Sequence, residues 1–360
     1  MKIQNQIPCL GIVIPSYNSS KTLKKTLLSV EKLKNNLKNK IQIYCVLIDD
    51  FSNDDTLYLV VKYLNEGTVD KYVKNDKNYG VSYSRNLGIL NCKNSDFLIF
   101  CDSDDQIVGL DPNIIIENFD SDIIFFDHIE SSETKSKLVS HESMIKNSII
   151  NDNQLINYAK HYLKKPNKFS LWISSWSKIF KTSTLIKNNL KFDIKLNLFE
   201  DVKFVFDFLF CAKKYTYINQ VLYDHFVSNT KDILDSSTFG RYSDVLGMFA
   251  FTEAINSLEN FLKKIDVNNN YDKEILHCTG AYTIITLLRI GAKINSFKEL
   301  ISVIKILKTL LKTDHFRDVF NFYNPKIAGG DIFIPYLLKN GFYSLALLLS
   351  FLKGKKRYSW

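Results

Sequence analysis

The sequence has no CxxC pair among its six cysteines, no GxGxxG glycine fingerprint and no P-loop lysine motif. Without paired cysteines, neither a disulfide framework nor a structural zinc site is indicated, and we expect small buried thiols of a reducing compartment. Without the glycine motifs, dehydrogenases and NTPases of the usual kinds are disfavoured. The first ten residues also lack the charged-then-apolar order of a signal peptide, so we expect a cytoplasmic protein.

The composition is that of a globular protein, with 46% hydrophobic and 24% charged residues among 360 and no low-complexity tract. A chain of this length is expected to form one large domain or two modest ones. The net charge of +9 indicates an anionic partner, which could be a nucleotide, a nucleic acid or a membrane surface. Because the lysines are dispersed and no nucleic-acid-binding motif is present, nucleic-acid binding rests on charge alone.

Short apolar runs alternate with amphipathic stretches in the first third of the chain. Leu10–Ile14 is a continuous apolar run, typical of a buried strand, and Ile41–Ile48 is a second apolar strand. A third strand is expected around Val69–Val73. Apolar residues at helical spacing indicate the helices between them: Leu23, Leu27, Val30 and Leu33 in the first, then Leu57, Val60, Val61 and Leu64 in the second. Ser19 or Ser20 is expected to cap the first helix. Strands that alternate with helices predict a parallel, doubly wound sheet.

The apolar run Phe97–Cys101 predicts a fourth strand. Two of the predicted strands end in carboxylates, at Asp49-Asp50 and at Asp102-Ser103-Asp104-Asp105. Ligands of open α/β sheets bind outside the carboxyl ends of the strands. Asp102 and Asp104 alternate along extended backbone, so the two carboxylates can converge on one hard divalent cation. A helix N-cap is the alternative interpretation of either cluster. That two strands end in the same way favours a ligand site.

A second acidic pair, Glu200-Asp201, lies among large apolar residues such as Phe199 and Phe204. Charged groups seldom enter such surroundings without a partner or a function. The pair is therefore a candidate general base. The alternative is a pair at the start of a helix, where the helix macrodipole favours acidic residues.

The sequence beyond Gly240 has mostly helical periodicity and ends in an apolar stretch, Phe342–Leu352, followed by four basic residues. This stretch is too short and too interrupted to span a membrane. It fits an interfacial helix with a polybasic end, which would place the protein peripherally on the inner face of the plasma membrane. The alternative is packing within a C-terminal domain or a homodimer contact.

Four motifs occur in the order and spacing typical of family-2 GT-A inverting glycosyltransferases, which the sequence resembles: Ile12–Asn18, Leu47–Asp54, Asn78–Asn86 and Asp102–Asp105. Trp176–Phe180 and Phe199–Asp201 are similar to the acceptor-side motifs of that family. Phe51 is a departure, because the family usually has glycine there, and we expect a slightly different turn.

The resemblance implies an α/β GT-A fold, with a mostly parallel, Rossmann-like sheet flanked by helices. It implies a catalytic domain over residues 1–235 and a mainly α-helical region over residues 236–360. The motifs also carry over the residues of the nucleotide site. Pro15, Tyr17 and Asp50 are implied to line the base and ribose, and Arg85 to reach the base or the phosphates. Asp102 and Asp104 are implied ligands of Mn²⁺ or Mg²⁺, with Ser103 and Asp105 beside them. Arg85 would otherwise be a solvated charge on a helix surface.

For catalysis, the resemblance implies that Asp201 is the base and that Glu200 is its alternate or orients it. His225 falls where the family often has a residue near the diphosphate. The expected reaction is metal-assisted transfer of a hexose or N-acetylhexosamine from a UDP-sugar to a hydroxyl of a growing surface glycan, such as capsule, O-antigen or lipooligosaccharide, on an acceptor that a lipid could carry. The alternative is a nucleotide-sugar-binding protein of the same fold without turnover.

Overall fold

The computed structural model describes residues 7–143, 145, 148–166, 168–169, 171–196, 198–227 and 246–358. The contacts divide the chain into two compact units. We call the first, comprising residues 1–154, 174–195 and 204–227, the sheet unit, and the second, comprising residues 155–173, 196–203 and 228–360, the helical unit. The domain boundary expected at residue 235 lies outside the described residues.

As the sequence pattern predicts, strands alternate with helices in the first part of the chain, and the described elements after residue 226 are all helices. The strands are β1 Cys9–Ser16, β2 Gln42–Asp49, β3 Lys71–Lys74, β4 Phe97–Phe100, β5 Gln106–Ile107, β6 Ile123–Ser131, β7 Ser136–Val139, β8 Ser148–Ile150, β9 Lys178–Lys181 and β10 Tyr215–Phe226. The helices up to β10 are α1 Leu23–Leu37, α2 Thr56–Asn65, α3 Val81–Asn91, α4 Pro112–Glu117, α5 Asp152–Lys164, α6 Thr182–Lys187 and α7 Glu200–Cys211. Those after β10 are α8 Leu246–Ile265, α9 Asp272–Lys293, α10 Phe297–Leu311, α11 Asp314–Phe322, α12 Pro325–Ala328, α13 Phe333–Lys339 and α14 Tyr343–Tyr358.

The strands form one sheet in the order β3-β2-β1-β4-β9-β6-β10-β5, with β7 beside β6 and β8 beside β10. The first four strands in this order are parallel, which confirms the predicted α/β architecture. Strand β9 runs antiparallel to both β4 and β6, so the whole sheet is mixed. The expected parallel arrangement is present in the first four strands and again between β6 and β10, whereas β9 is antiparallel to both of its neighbours.

The first helix confirms its predicted stripe, but two local expectations are wrong. Helix α1 buries Leu23, Leu27, Val30 and Leu33, yet it begins after Thr22 without a side-chain cap, so neither Ser19 nor Ser20 caps it. Helix α2 faces the core with Val60 and Tyr63, while its other predicted core residues are exposed: Leu57, Val61 and Leu64. The predicted α2 stripe missed the aromatic ring of Tyr63, which lies one turn beyond Val60 on the same helix face.

The helical unit is built around α9, whose sequence is apolar on nearly all sides. It is the one described helix long and apolar enough to cross a membrane, but 78% of its most apolar window is buried, as in a core helix. It packs closely on α14, because a Cβ on Gly354 would lie 2.1 Å from the carbonyl oxygen of Leu288 and one on Gly291 would lie 2.6 Å from that of Ser350. Glycine at both positions allows the two helix backbones to approach.

Candidate active site

The carboxyl ends of β1, β2 and β4 meet at one edge of the sheet. The register pairs Ser16 with Asp49 and Val13 with Phe100, so the residues that follow these strands emerge side by side. Both predicted carboxylate clusters lie at this edge. The parallel half of the sheet therefore brings together residues that are about fifty positions apart in sequence.

Asp50 is buried, and its carboxylate anchors the loop before α3. It accepts hydrogen bonds from Nδ2 of Asn75 at 2.7 Å, from the N–H of Tyr79 at 2.9 Å and from the N–H of Gly80 at 2.7 Å. Gly80 has a φ of 89°, a conformation that L side chains rarely adopt. Asp50 thus shapes this loop, and its contact with a nucleotide stays a prediction.

Arg85 is buried on α3, and its Nη2 donates to Oδ1 of Asp102 at 2.9 Å. The guanidinium also lies over the ring of Phe192, with 5.2 Å from Cζ to the ring centroid. A buried charge needs such a partner, because leaving water is costly for an ion. The interpretation of Arg85 as a solvated surface charge is therefore wrong.

Asp104 is the carboxylate of the cluster that opens to solvent. Protein atoms around its carboxyl displace water, and the charges of Asp105 and Asp102 add repulsion, so the pKa of Asp104 rises to about 7. A divalent cation would relieve this repulsion, and oxygen ligands suit Mg²⁺ and Mn²⁺. Among the described residues no group of three or more histidine, cysteine or acidic side chains is arranged for a metal. The donors present fit a cation that takes its other ligands from substrate and water.

Asp105 is fully buried and serves as a structural support rather than an open ligand. Its carboxylate accepts hydrogen bonds from the hydroxyl of Tyr223 at 2.9 Å and from the N–H of Phe226 at 2.8 Å, and it lies 3.2 Å from Nδ1 of His225. Burial would lower the pKa of His225, but the hydrogen bond and the charge of Asp105, with the charges of Asp102 and Asp104, outweigh it and raise that pKa. The structure therefore brings His225 to the carboxylate cluster.

Tyr223 was not identified from the sequence. Its hydroxyl accepts the N–H of Asp102 at 3.0 Å while it donates to Asp105, so one buried phenol joins the start and the end of the carboxylate loop. The ring of Trp176 stacks on Tyr223 and on His225, with centroid distances of 5.0 and 4.9 Å. A tyrosine in an apolar strand looks like core, and only its distance from Asp105 in space reveals the role.

The other predicted nucleotide residues surround the same edge. Pro15 is buried in β1, whereas the ring of Tyr17 is 49% exposed beyond the strand and open to a ligand. The hydroxyl of Ser103 lies 2.7 Å from that of Ser19, which ties the β4 loop to the β1 loop. Their contacts with a nucleotide stay predictions.

Non-glycine residues in the left-handed region occur in four of the predicted motifs. Non-glycine residues with positive φ include Asn18, Phe51, Ser177 and Phe199, at 49°, 72°, 57° and 59°. Such conformations are costly for bulky side chains and cluster at functional sites. Phe51 adopts the left-handed conformation that glycine favours, and the expectation of a slightly different turn stays a prediction.

Glu200 and Asp201 form the first turn of α7, as the helix-start interpretation predicts. Both are half-buried between the buried side chains of Phe199 and Val202. The ring of Phe199 packs edge-on against Phe251, at a centroid distance of 5.1 Å. These residues belong to the helical unit, and the role of Asp201 or Glu200 as base stays a prediction.

Residues 11–170 match the sequence profile described as Glycosyl transferase family 2. Over this part of its length the chain is similar to family-2 glycosyltransferases. It is 28% identical over 298 residues to Poly(ribitol-phosphate) beta-N-acetylglucosaminyltransferase TarP of Staphylococcus aureus strain N315, which covers 79% of this chain and 81% of TarP. It is 27% identical over 214 residues to TarS of S. aureus strain Mu50, described as the same kind of enzyme; this match covers 59% of this chain and 33% of TarS.

The fold of the chain is also that of a solved structure. The crystal structure of S. aureus TarS 1–349 in complex with UDP-GlcNAc superposes with a TM-score of 0.56 at 17% identity, over 97% of this chain and 91% of that one. The similarity confirms the expected α/β GT-A fold and includes the helical C-terminal region.

Proposed function

We propose that this glycosyltransferase takes its sugar from a UDP-sugar and transfers it, with inversion, to a hydroxyl of a growing surface glycan. The observation that carries the proposal is the carboxylate cluster after β4, where repulsion and lost water raise the pKa of Asp104 to about 7. Added positive charge would stabilise the ionised form of such a cluster, and a cation shared with a diphosphate would supply it. An N-acetylglucosaminyl donor is supported by the names of TarP and TarS and by the UDP-GlcNAc of the TarS complex.

Asp102 and Asp104 would hold Mn²⁺ or Mg²⁺, and the bound cation would stabilise the negative charge of the leaving diphosphate. Arg85 fixes the position of the Asp102 carboxylate through their 2.9 Å contact. Asp105 and Tyr223 hold the backbone between these ligands in place. The chain thus presents the two ligands on a preorganised loop, which reduces the reorganisation that donor binding requires.

The transfer is a single displacement. The acceptor hydroxyl oxygen forms a bond to the anomeric carbon while the bond between that carbon and the diphosphate oxygen breaks, and Asp201 takes the hydroxyl proton. Tyr17 is exposed at the β1 edge and would stack on the uracil. For the acceptor, the named substrates of TarP and TarS make a polyol-phosphate polymer the first candidate, and the net charge of +9 suits a polyanion.

A donor screen tests this function. Purified protein is incubated with UDP-glucose, UDP-galactose, UDP-GlcNAc or UDP-GalNAc, with a poly(ribitol phosphate) acceptor, and with manganese or EDTA. We expect acceptor-dependent UDP release with UDP-GlcNAc and manganese, and its loss in Asp104→Ala. Calorimetry with UDP then separates binding from turnover. If wild type and Asp104→Ala bind UDP equally well with manganese, the metal assignment is wrong; binding without turnover on any donor would support the inactive alternative.

A further inference from the structure

The end of the helical unit exposes an unusual number of large apolar side chains. Seven of them fall within 21 residues, each between 40% and 64% exposed: Ile332, Phe333, Tyr336, Phe342, Leu345, Leu348 and Leu352. We call this set the tail patch. Single exposed apolar residues are ordinary, but a concentration of this size marks an interaction site.

Helix α14 has two apolar faces with different roles. One face is buried through Ala346, Leu347, Ser350 and Gly354, and it packs on α9. This confirms the interpretation of the tail as packing, but only for that face. The opposite face carries Leu345, Leu348 and Leu352 at helical spacing and is open.

Helix α13 adds its exposed side chains next to that open face. The ammonium of Lys353 lies 5.1 Å from the ring centroid of Phe333 and pairs with Asp331. This contact places the start of α13 beside the turn of α14 that carries Leu352. The tail patch is therefore shared between two helices that pack on each other.

The charge of this segment indicates what covers the patch. From Ile332 to Trp360 the sequence contains five basic residues and no acidic one: Lys339, Lys353, Lys355, Lys356 and Arg357. Lys339 and Lys356 are exposed. Asp331 pairs with Lys353, so each copy has four more basic than acidic side chains from Asp331 onwards. Two copies of this surface facing each other would bring together an excess of eight positive side chains. An anionic surface would complement both the charge and the exposed apolar side chains.

We propose that the tail patch docks on the surface of an anionic lipid bilayer. Its leucine and aromatic side chains enter the boundary between head groups and acyl chains, and the basic residues contact the lipid phosphates. Helix α14 has 16 residues, fewer than the ~20 needed to cross a bilayer, so it lies on the membrane. The proposal concerns where the enzyme works and does not rest on the sugar that it transfers.

Vesicle flotation of the full-length protein tests the proposal, using phosphatidylcholine vesicles with and without 25% phosphatidylglycerol at low and high salt. The apolar variant is Leu345→Gln with Leu352→Gln, and its matched control is Leu28→Gln with Leu90→Gln, which replaces two similarly exposed leucines of the sheet unit. The charge variant is Lys339→Gln with Lys356→Gln, matched by Lys38→Gln with Lys40→Gln, also exposed. Melting curves establish that each variant is folded.

We expect wild type to float with the anionic vesicles only, and less so at high salt. Each basic residue near an anionic surface raises partitioning about fivefold, so the charge variant should bind roughly 25-fold more weakly. The apolar variant should also bind more weakly, while both controls behave as wild type. Absence of wild-type binding at low salt would overturn the proposal, as would equal losses in variants and controls. So would an oligomer, seen by light scattering, that the apolar variant dissociates while vesicle binding is unchanged.

Discussion

The hydroxyl of Tyr223 donates a hydrogen bond of 2.9 Å to the carboxylate of Asp105, a residue 118 positions earlier in the chain. Both side chains are fully buried, and the same hydroxyl accepts the N–H of Asp102. Strand β10 thereby fixes the loop that carries the proposed metal ligands, although none of those ligands lies on β10.

Replacing Tyr223 with phenylalanine should destabilise the protein and weaken donor binding together. Removing one partner of a buried carboxylate costs about 1–3 kcal/mol, and the loop loses its link between Asp102 and Asp105. Urea denaturation measures the first effect and calorimetry with UDP and manganese the second. Tyr217→Phe is the matched control, because Tyr217 lies on the same strand and donates to the buried Asp127 at 2.6 Å. UDP binding as tight in Tyr223→Phe as in Tyr217→Phe would contradict the positioning role.

Asp201→Asn should preserve donor binding and lower turnover about a hundredfold or more, because it removes the proposed base and nearly keeps its shape. The comparison is Glu200→Gln, the neighbouring carboxylate in the same helical turn. Steady-state kinetics and UDP calorimetry on both variants separate catalysis from binding. If Glu200→Gln loses turnover and Asp201→Asn does not, the two roles are reversed.

Two buried histidines should make the protein sensitive to acid. Loss of water and the nearby charge of Lys178 lower the pKa of His128 to about 3 and that of His141 to about 4. The unfolded chain therefore takes up protons first, and stability that is complete above pH 6.5 is lost as the pH falls towards 4. At pH 5, the protonation of each histidine in the unfolded chain has lowered the free energy of unfolding by about 2 kcal/mol relative to neutral pH.

Urea midpoints at a series of pH values measure this loss. His128→Gln should lose less stability between pH 7 and pH 5 than wild type does, because one titrating group is gone. His161→Gln, on the partly exposed surface of α5, should keep the wild-type slope. Parallel curves for wild type and His128→Gln would rule out His128 as a source of the acid sensitivity.

Gly354→Ala should destabilise the helical unit by roughly 1–3 kcal/mol, the cost of overpacking a tight contact. The new Cβ would lie 2.1 Å from the carbonyl oxygen of Leu288, a backbone atom that cannot rotate away. Gly109→Ala is the control, since nothing lies within 4 Å of its added Cβ. Thermal denaturation compares the two, and equal melting temperatures would show that α9 and α14 can separate without loss.

The sequence predicted the parallel half of the fold and the strand ends at which the two carboxylate clusters lie, because those features follow from local patterns. An apolar run that ends in carboxylates predicts both a strand and the end of that strand at which a ligand could bind, as Phe97–Asp105 illustrates. Strand β9 could not be predicted, because a run of four residues carries no information about the direction of a strand. The burial of Arg85 and the partner of Tyr223 depend on residues far away in the chain, which no window of sequence contains.

The close contact of α9 with α14 also affects the order in which a nascent chain can fold. All residues of the sheet unit have been synthesised by position 227. The core of the helical unit, in contrast, lacks the helix that packs on α9 until α14 has been synthesised. Domains fold as units during translation, so the sheet unit can form first. Residues 155–173 and 196–203 belong to the helical unit, and most of that unit, residues 228–360, is translated after them. A nonsense mutation before Tyr343 would remove all of α14 and leave one side of α9 uncovered, which is an expected target for chaperones and proteases.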